Sequence, residues 1–418
     1  MLGRALLRRG HRVTVFSLAD VEPTVQREGL GFSPLGPEQY PMGSLALLLE
    51  ALKQQQGFRS SLFVIRAAAQ IVRLILEHAP AALQVEAVDA VLADQNEPAS
   101  ASVAEYLGLP FASICTSLPI NREAGIPPSF TNWEYKSGAF SKLRNKLGYK
   151  VSDVFTRNLQ ATLNEYRKRW RLNELRSPDD SFSRIAQIAQ MPAEFDFPRQ
   201  MPPPNLHYTG PWVDEVFEKS ASTSEFPLDR LDGRPVLYVS LGTLQNVHSK
   251  YFNIIAEACT GLNLQVVISV GAKKNAGLPK LPGNHLVVRY APQIAVLRRS
   301  ALAITHAGMN TTMHALHFGI PLIAIPLAHD QPAIAARLKR TGAGVVFSPN
   351  ELTVQKLRRA IDSILENDSA WKVHARRMQQ VIAEAGGVER AADIVEQSMS
   401  AGRARLRTLK PQPELQLL

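Results

Sequence analysis

Apolar residues along this 418-residue chain fall into short runs bounded by polar and turn-forming residues, and the runs alternate with stretches of helical period. Val13-Thr14-Val15-Phe16 reads as a strand, entered from a helix that ends in Arg8-Arg9-Gly10-His11. Ala90 to Ala93 reads as a second strand, Ser102 to Leu107 as a helix closed by Gly108, and Phe111 to Ile114 as a third strand. The second half repeats the pattern. Strands are predicted at Val236 to Ser240, Leu264 to Val270, His285 to Val288, Ala301 to Thr305 and Leu322 to Ile325, with helices at Phe252 to Cys259 and Met313 to Phe318. Strands separated by helices predict parallel βαβ units, hence an α/β protein. The proline-rich run from Phe197 to Asn205 marks a crossing between domains. Two domains are therefore expected, over 1–205 and 234–385, joined by a linker over 206–233. A helix over 386–400 and a disordered tail over 401–418 are expected to follow.

Composition narrows the class. Hydrophobic residues make up 45% and charged residues 20%, as in ordinary globular proteins. No apolar stretch approaches the roughly 20 residues of a membrane span; Ile320 to Leu327 is broken by Pro321 and Pro326. Cys115 and Cys259 lie far apart in apolar surroundings and are expected to be buried, reduced thiols. Neither cysteines nor histidines show metal-ligand spacing. Met1 runs directly into the basic, amphipathic Leu-Gly-Arg-Ala-Leu-Leu-Arg-Arg, unlike a signal peptide, so a cytoplasmic protein is expected.

The net charge of +10 is concentrated: Lys136 to Arg176 carries eleven Lys and Arg against three Asp and Glu. Such a patch suits nucleic acid, but no recognition motif accompanies it, and no nucleic-acid partner is expected. The same segment places Leu143, Leu147, Val151, Val154, Leu159, Leu163, Tyr166 and Trp170 at spacings of three to five. That reads as one apolar stripe, either packed on the core with a solvated basic face or lying peripherally on an anionic bilayer.

Candidate chemistry gathers between Tyr290 and Gln331. Tyr290-Ala291-Pro292-Gln293 precedes a strand, after which come His306-Ala307-Gly308-Met309-Asn310-Thr311-Thr312 and a helix. Gly308 and its small neighbours would let a ligand approach the backbone. Asn310, Thr311 and Thr312 sit where a helix N-cap belongs, and a helix N-terminus suits a diphosphate. Asp330 and Gln331 follow the next strand, before Pro332 at a helix start, where carboxylate and amide can grip sugar hydroxyls. Taken singly, His306 reads as a structural histidine, Gly242 as a turn and Asp330 as an N-cap; the combination is what carries meaning.

These linked motifs resemble the carboxy-terminal signature of the UDP-glycosyltransferase family. Leu118-Pro119-Ile120-Asn121-Arg122-Glu123 and Tyr208-Thr209-Gly210-Pro211 look most like bacterial members acting on macrolides and carotenoids. The resemblance implies two Rossmann-like domains facing across a cleft, the GT-B arrangement. It implies that Tyr290, Ala291 and Gln293 meet the base and ribose, that His306, Gly308, Asn310 and Thr311 hold the diphosphate, and that Asp330 and Gln331 hold the sugar. Ser240, Gly242 and Thr243 match a further diphosphate loop. His314 stands where the family carries a carboxylate for the ribose, and imidazole makes one such bond rather than two. The UDP-sugar is a co-substrate and no separate cofactor is implied; without an Asp-x-Asp motif, no metal is expected.

The implied reaction moves a hexose with inversion onto a hydroxyl of a lipophilic small molecule. It needs a general base, in the family a histidine after the first strand. Asp94 matches the aspartate that orients it. The histidine is not found: His11 precedes its strand and stands at the wrong sheet edge. The first strand of the amino-terminal domain is accordingly expected to be missing from the chain. Two alternatives follow, a non-catalytic nucleotide-sugar binder and a nucleotide-sugar epimerase; the Asp-Gln motif argues against the second.

Overall fold

The computed structural model describes residues 1–408 apart from 54–57, 214–225, 227–229, 243–248 and 272–276. The amino-terminal half begins with α1 (Leu2–Arg8), β1 (Thr14–Ser17), α2 (Glu22–Arg27) and β2 (Gly31–Pro34). Next come α3 (Ser44–Lys53), α4 (Phe58–Val85), β3 (Val91–Asp94), α5 (Ala99–Tyr106) and β4 (Phe111–Cys115). The 31-residue α6 (Ala139–Arg169) precedes β5 (Ala186–Ala189) and β6 (Leu206–Tyr208). Strands β3-β4-β5-β6 form one parallel sheet, and β1-β2 pair separately. Strands β1 and β3 thus stand in different sheets. Strand β3 has a ladder partner on one side only among the described residues, and Leu92 at its middle is 36% exposed, whereas every residue of β4 is buried.

The carboxy-terminal half is a single six-stranded parallel sheet. Its strands are β7 (Val236–Ser240), β8 (Gln265–Ser269), β9 (Leu286–Val288), β10 (Ser300–Thr305), β11 (Leu322–Ala324) and β12 (Gly344–Val346), in the order β12-β11-β10-β7-β8-β9. The helices are α7 (Ser249–Cys259), α8 (Gln293–Leu297), α9 (Met309–His317), α10 (Gln331–Thr341), α11 (Val354–Leu365) and α12 (Ala370–Glu384). Successive strand residues point to opposite faces: Val236 and Tyr238 enter one core, Leu237 and Val239 the other. Both faces are therefore covered, which explains why these strands read as continuous apolar runs rather than alternating ones. The first strand is central and the winding reverses between β7 and β10. Open α/β sheets bind ligands at that reversal, beyond the carboxyl ends of the strands.

Two boundaries differ from those the sequence suggests. Leu206–Tyr208, expected to open a linker, is the edge strand of the first sheet, paired with β5. The last helix, α13 (Gly387–Thr408), continues past residue 400 into the expected tail, of which 409–418 lie outside the described residues. It also returns to the amino-terminal half. Ala391, Ala392 and Val395 pack with Ala112, Ile114 and Ile188 of that sheet and with Leu2 and Leu6. Arg9 pairs with Glu389, Asp393 and Glu396, each at 2.8 Å, and His11 with Glu396 at 2.8 Å.

The apolar stripe of α6 is two stripes. At about 100° per residue, the five-residue step from Val154 to Leu159 carries it to the opposite side of the helix. Leu159, Tyr166 and Trp170 pack around buried Leu163 against α4 and α5, while Leu143, Leu147, Val151 and Val154 are exposed. Among the described residues, no helix is long and apolar enough to cross a membrane.

Candidate active site

Strands β7, β10 and β11 end level with one another, with Ser240 beside Thr305 and Thr305 beside Ala324. The loops beyond them build the site. Gly242 has a φ of +82°, which favours glycine. A Cβ on Gly242 would lie 2.8 Å from His306 Nε2, and one on Gly308 would lie 2.6 Å from the same atom. Both glycines therefore make room for the imidazole. Space that the sequence assigned to ligand approach at Gly308 is partly filled by His306 itself. Between them Ala307 takes a φ of +64°, and His329, just before Asp330, takes +57°. Only four non-glycine residues among those described have positive φ, so two of the four lie at this site. Strain of this kind persists where the surroundings over-determine it.

His306 is kept neutral chiefly by burial, which pushes its pKa down against the opposing pull of the Ser240 backbone and Asp330. Helix α9 begins immediately after it. Its N-cap is Gly308, with no side-chain cap, rather than Asn310, Thr311 or Thr312, which lie in the first turn. The leading N–H groups are thus uncapped at the positive end of the helix dipole. Asn310 is exposed there. Thr311 Oγ1 donates to Gln293 Oε1 at 3.1 Å, and Gln293 Nε2 donates to His314 Nδ1 at 2.9 Å. Accepting that bond places the His314 proton on Nε2, leaving one donor for a ligand. Burial, then nearby His317, push the pKa of His314 down to about 4. Tyr290 is 57% exposed at the rim, its hydroxyl 3.5 Å from the Gly271 carbonyl, and Ala291 is half-buried beside it. Thr243 lies outside the described residues.

Asp330 is the N-cap residue of α10, yet its side chain does not cap the helix. It accepts instead from Ser117 Oγ, across the cleft in the other half. Gln331 turns inward, and its Oε1 accepts the backbone N–H groups of Leu327 and Ala328 at 2.8 and 2.9 Å, which fixes the loop carrying Asp330. Asp94, at the end of β3, accepts from Thr116 Oγ1 at 3.0 Å and from the Asn96 backbone and amide at 2.8 and 3.1 Å. Consecutive hydroxyls after β4 therefore hold one carboxylate from each half. Asp94 and Asp330 are thus held by neighbouring hydroxyls, and Asp330 lies close enough to His306 to act on its charge. Sequence reasoning missed Thr116 and Ser117, although a hydroxyl pair at a strand's carboxyl end was the available signal.

It also missed the ion pair that holds the cleft. Asp196, on the turn Ala193–Phe195 and its C-cap, accepts from Arg337 Nε of α10 at 2.9 Å. Its other oxygen accepts from Arg199 at 2.9 Å and from the Tyr208 hydroxyl at 2.8 Å. Burial works to raise the pKa of Asp196, but Arg337 and Arg199 outweigh it and hold the carboxyl below its ordinary range. Arg340 reaches the Glu194 and Asp196 carbonyls, and Lys339 pairs with Glu134 at 2.7 Å. One helix thus presents Asp330 at its start and clamps the other half along its length.

Beside Asp94 lies a cavity of about 240 Å³. Gln95 and Asn96 form its polar end, and Ile120, Ile126, Leu159 and Leu163 much of its apolar wall. Most of its lining comes from the segment Pro119 to Phe130 and from the inner face of α6.

Residues 64–384 match the family model described as UDP-glucoronosyl and UDP-glucosyl transferase. Zeaxanthin glucosyltransferase of Pantoea ananas is 34% identical over 405 residues, covering 96% of this chain and 93% of that protein. The enzyme of the same name from Pseudescherichia vulneris is 32% identical, covering 96% and 95%. Among solved structures, the calicheamicin glycosyltransferase CalG4 superposes with a TM-score of 0.70 at 22% identity, covering 96% of this chain and 94% of that one. The glycosyltransferase VinC, solved with dTDP, gives a TM-score of 0.64 at 18% identity, covering 96% and 95%. At such identities these structures speak for the fold, two facing α/β domains of the GT-B type. The similarities lend no support to a non-catalytic binder.

Proposed function

We propose a specific reaction for this chain, which belongs to the UDP-glucoronosyl and UDP-glucosyl transferase family and is a glycosyltransferase using a nucleotide sugar: it moves a hexose from a UDP-sugar to a hydroxyl of a lipophilic small molecule, with inversion and without a metal. The observation that carries the donor side is the crevice between β7 and β10, where His306 meets an uncapped helix N-terminus. There the diphosphate would lie against the first N–H groups of α9, Asn310, Thr311 and the Ser240–Gly242 backbone, with Thr243 following. The helix dipole and a neutral His306 donor would stabilise charge growing on the departing diphosphate. Tyr290 would stack on the base, Ala291 and Gln293 would contact base and ribose, and His314 would give the ribose a single hydrogen bond. Asp330 would face the sugar, with Ser117 releasing it as the donor enters, and Gln331, its Oε1 taken by the Leu327 and Ala328 N–H groups, would offer the sugar only its Nε2 amide.

The acceptor would occupy the cavity beside Asp94, whose apolar wall and whose zeaxanthin-glucosylating relatives support a lipophilic compound. Asp94, held by three donors, would orient a general base and balance the charge that base gains, although no histidine identified in this sequence stands in that place. We place the protein in the cytoplasm, peripheral to the membrane; the two buried, free thiols of Cys115 and Cys259 fit a reducing compartment. The test is incubation with UDP-glucose and zeaxanthin, with and without a chelator. A β-glucoside formed equally in both is the expected product. An α-glucoside, or activity lost to the chelator, overturns the mechanism.

A further inference from the structure

Helix α6 carries two faces with different uses. Tyr149, Ser152, Thr156, Leu159, Gln160 and Leu163 line the acceptor cavity. Phe140, Leu143, Leu147, Val151 and Val154 are between 51% and 81% exposed. At about 100° per residue the exposed set occupies an arc of roughly 80°, centred nearly opposite the cavity-lining set. Beyond Phe155 the same arc turns polar, at Asn158, Thr162 and Glu165. The apolar seam is therefore confined to the half of the helix that precedes the packed segment. Isolated exposed apolar residues are normal, but a continuous seam of five marks a surface that meets something.

Charge identifies the occupant. Lys146, Lys150 and Arg157 stand exposed along one flank of the seam, and Arg144, stacked 4.5 Å over Trp133, stands along the other. Asp153, the one acidic residue in this part of the helix, is held by Arg122 at 2.6 Å. A second copy laid on the seam would set basic flank against basic flank. An anionic lipid surface would neutralise both flanks while its acyl region received the seam, as for helices that lie in the plane of a membrane. Met201, 82% exposed, extends the apolar surface beside Lys142, which reaches Gln200. Phe130, 49% exposed, belongs both to the surface and to the cavity wall.

We propose that the first half of α6 is a docking face for anionic membrane, seating the acceptor cavity directly behind the bilayer surface so that a lipophilic acceptor enters from lipid rather than from water. The second part of this statement rests on the lipophilic-acceptor reading above; the docking itself does not. The test sediments the full chain with vesicles of phosphatidylcholine alone and of phosphatidylcholine with phosphatidylglycerol. Binding at least tenfold stronger to the anionic vesicles is expected, weakening as salt is raised. Leu147→Asp with Val151→Asp should abolish it while leaving the thermal melt and UDP binding unchanged, because both side chains point away from core and cleft. Lys146→Gln with Lys150→Gln should weaken it by several-fold. Equal sedimentation with both vesicles overturns the proposal. So does a double-Asp variant that binds like the parent, or one whose only change is from dimer to monomer by light scattering. UDP titration reports separately on the donor crevice, so failure of docking and failure of the transferase assignment are distinguishable.

Discussion

The two halves of this molecule are made from the same alternation of strand and helix, yet they differ in completeness. The carboxy-terminal half has one six-stranded sheet with an apolar core on each face, and its crevice lies at the winding reversal. The amino-terminal half has its strands in two sheets, a half-exposed β3, a 31-residue helix with an unpartnered seam, and a last helix borrowed from the far end of the chain. The difference fits the two ligands proposed above. A nucleotide diphosphate is a fixed object, bound by backbone N–H groups and a helix end that any sequence of the right fold supplies. A lipophilic acceptor is bound by side-chain shape, and the walls that provide it are loops and a helix surface free to vary. Helix α10 joins the two regimes, because it carries Asp330 toward the crevice and Arg337 into the opposite half.

Breaking that join should have the largest effect. Arg337→Met leaves Asp196 buried beside a lost partner, and removal of one member of a buried pair costs about 3–5 kcal/mol. Urea unfolding should show a loss of that order; a loss below about 1 kcal/mol would mean that Arg199 and Tyr208 satisfy Asp196 unaided.

The next effect belongs to the carboxy-terminal half and depends on pH. His314 has a folded pKa of about 4 against an ordinary 6.5. Between those values the unfolded state binds the proton and the folded state does not, so stability is full above about pH 6.5 and falls as pH drops toward 4. The full difference corresponds to about 3 kcal/mol. His314→Asn should flatten the decline in melting temperature between pH 7 and pH 5, and an unchanged slope would contradict the assignment.

His306→Ala tests the crevice itself. A hydrogen bond to a charged group is worth about 1.5–3 kcal/mol, so UDP affinity measured by calorimetry should fall about tenfold or more. Vesicle binding should be unaffected, and an unaltered UDP affinity would remove His306 from the donor site. The smallest effect is expected at Ser117→Ala. The lost bond to Asp330 is worth about 0.5–1.5 kcal/mol. It should appear as a lower KM for the donor with little change in kcat, since Asp330 is freed before the sugar arrives; a raised KM would show that Ser117 itself holds the sugar.

Legibility in the sequence divided along the same line. Tyr290, His306, Asp330 and their neighbours were readable because the crevice is built from short stretches following successive strands. The role of Gly308 is only half legible: its lack of a side chain leaves room at that position, but the atom that fills the room comes from His306 two residues earlier. The apolar stripe of α6 reads as one in the sequence because spacings of three to five look alike there, although a step of five crosses the helix. Asp196, Arg199 and Tyr208 read as isolated polar residues, and nothing in the spacing joins them to Arg337.

The sequence by itself determined the α/β class, the parallel strands of the carboxy-terminal half, the position of the crevice and most of the residues around it. All of these depend on local periodicity and on loops that follow strands. Only the tertiary structure decided that α13 completes the core of the opposite half, that Thr116 and Ser117 hold a carboxylate from each side, and that α6 turns one face to a cavity and the other to the exterior. Those outcomes depend on which surfaces meet over separations from 22 residues, for Thr116 and Asp94, to 213, for Ser117 and Asp330, and more, and burial and pairing across such gaps are settled by packing, which no local pattern encodes.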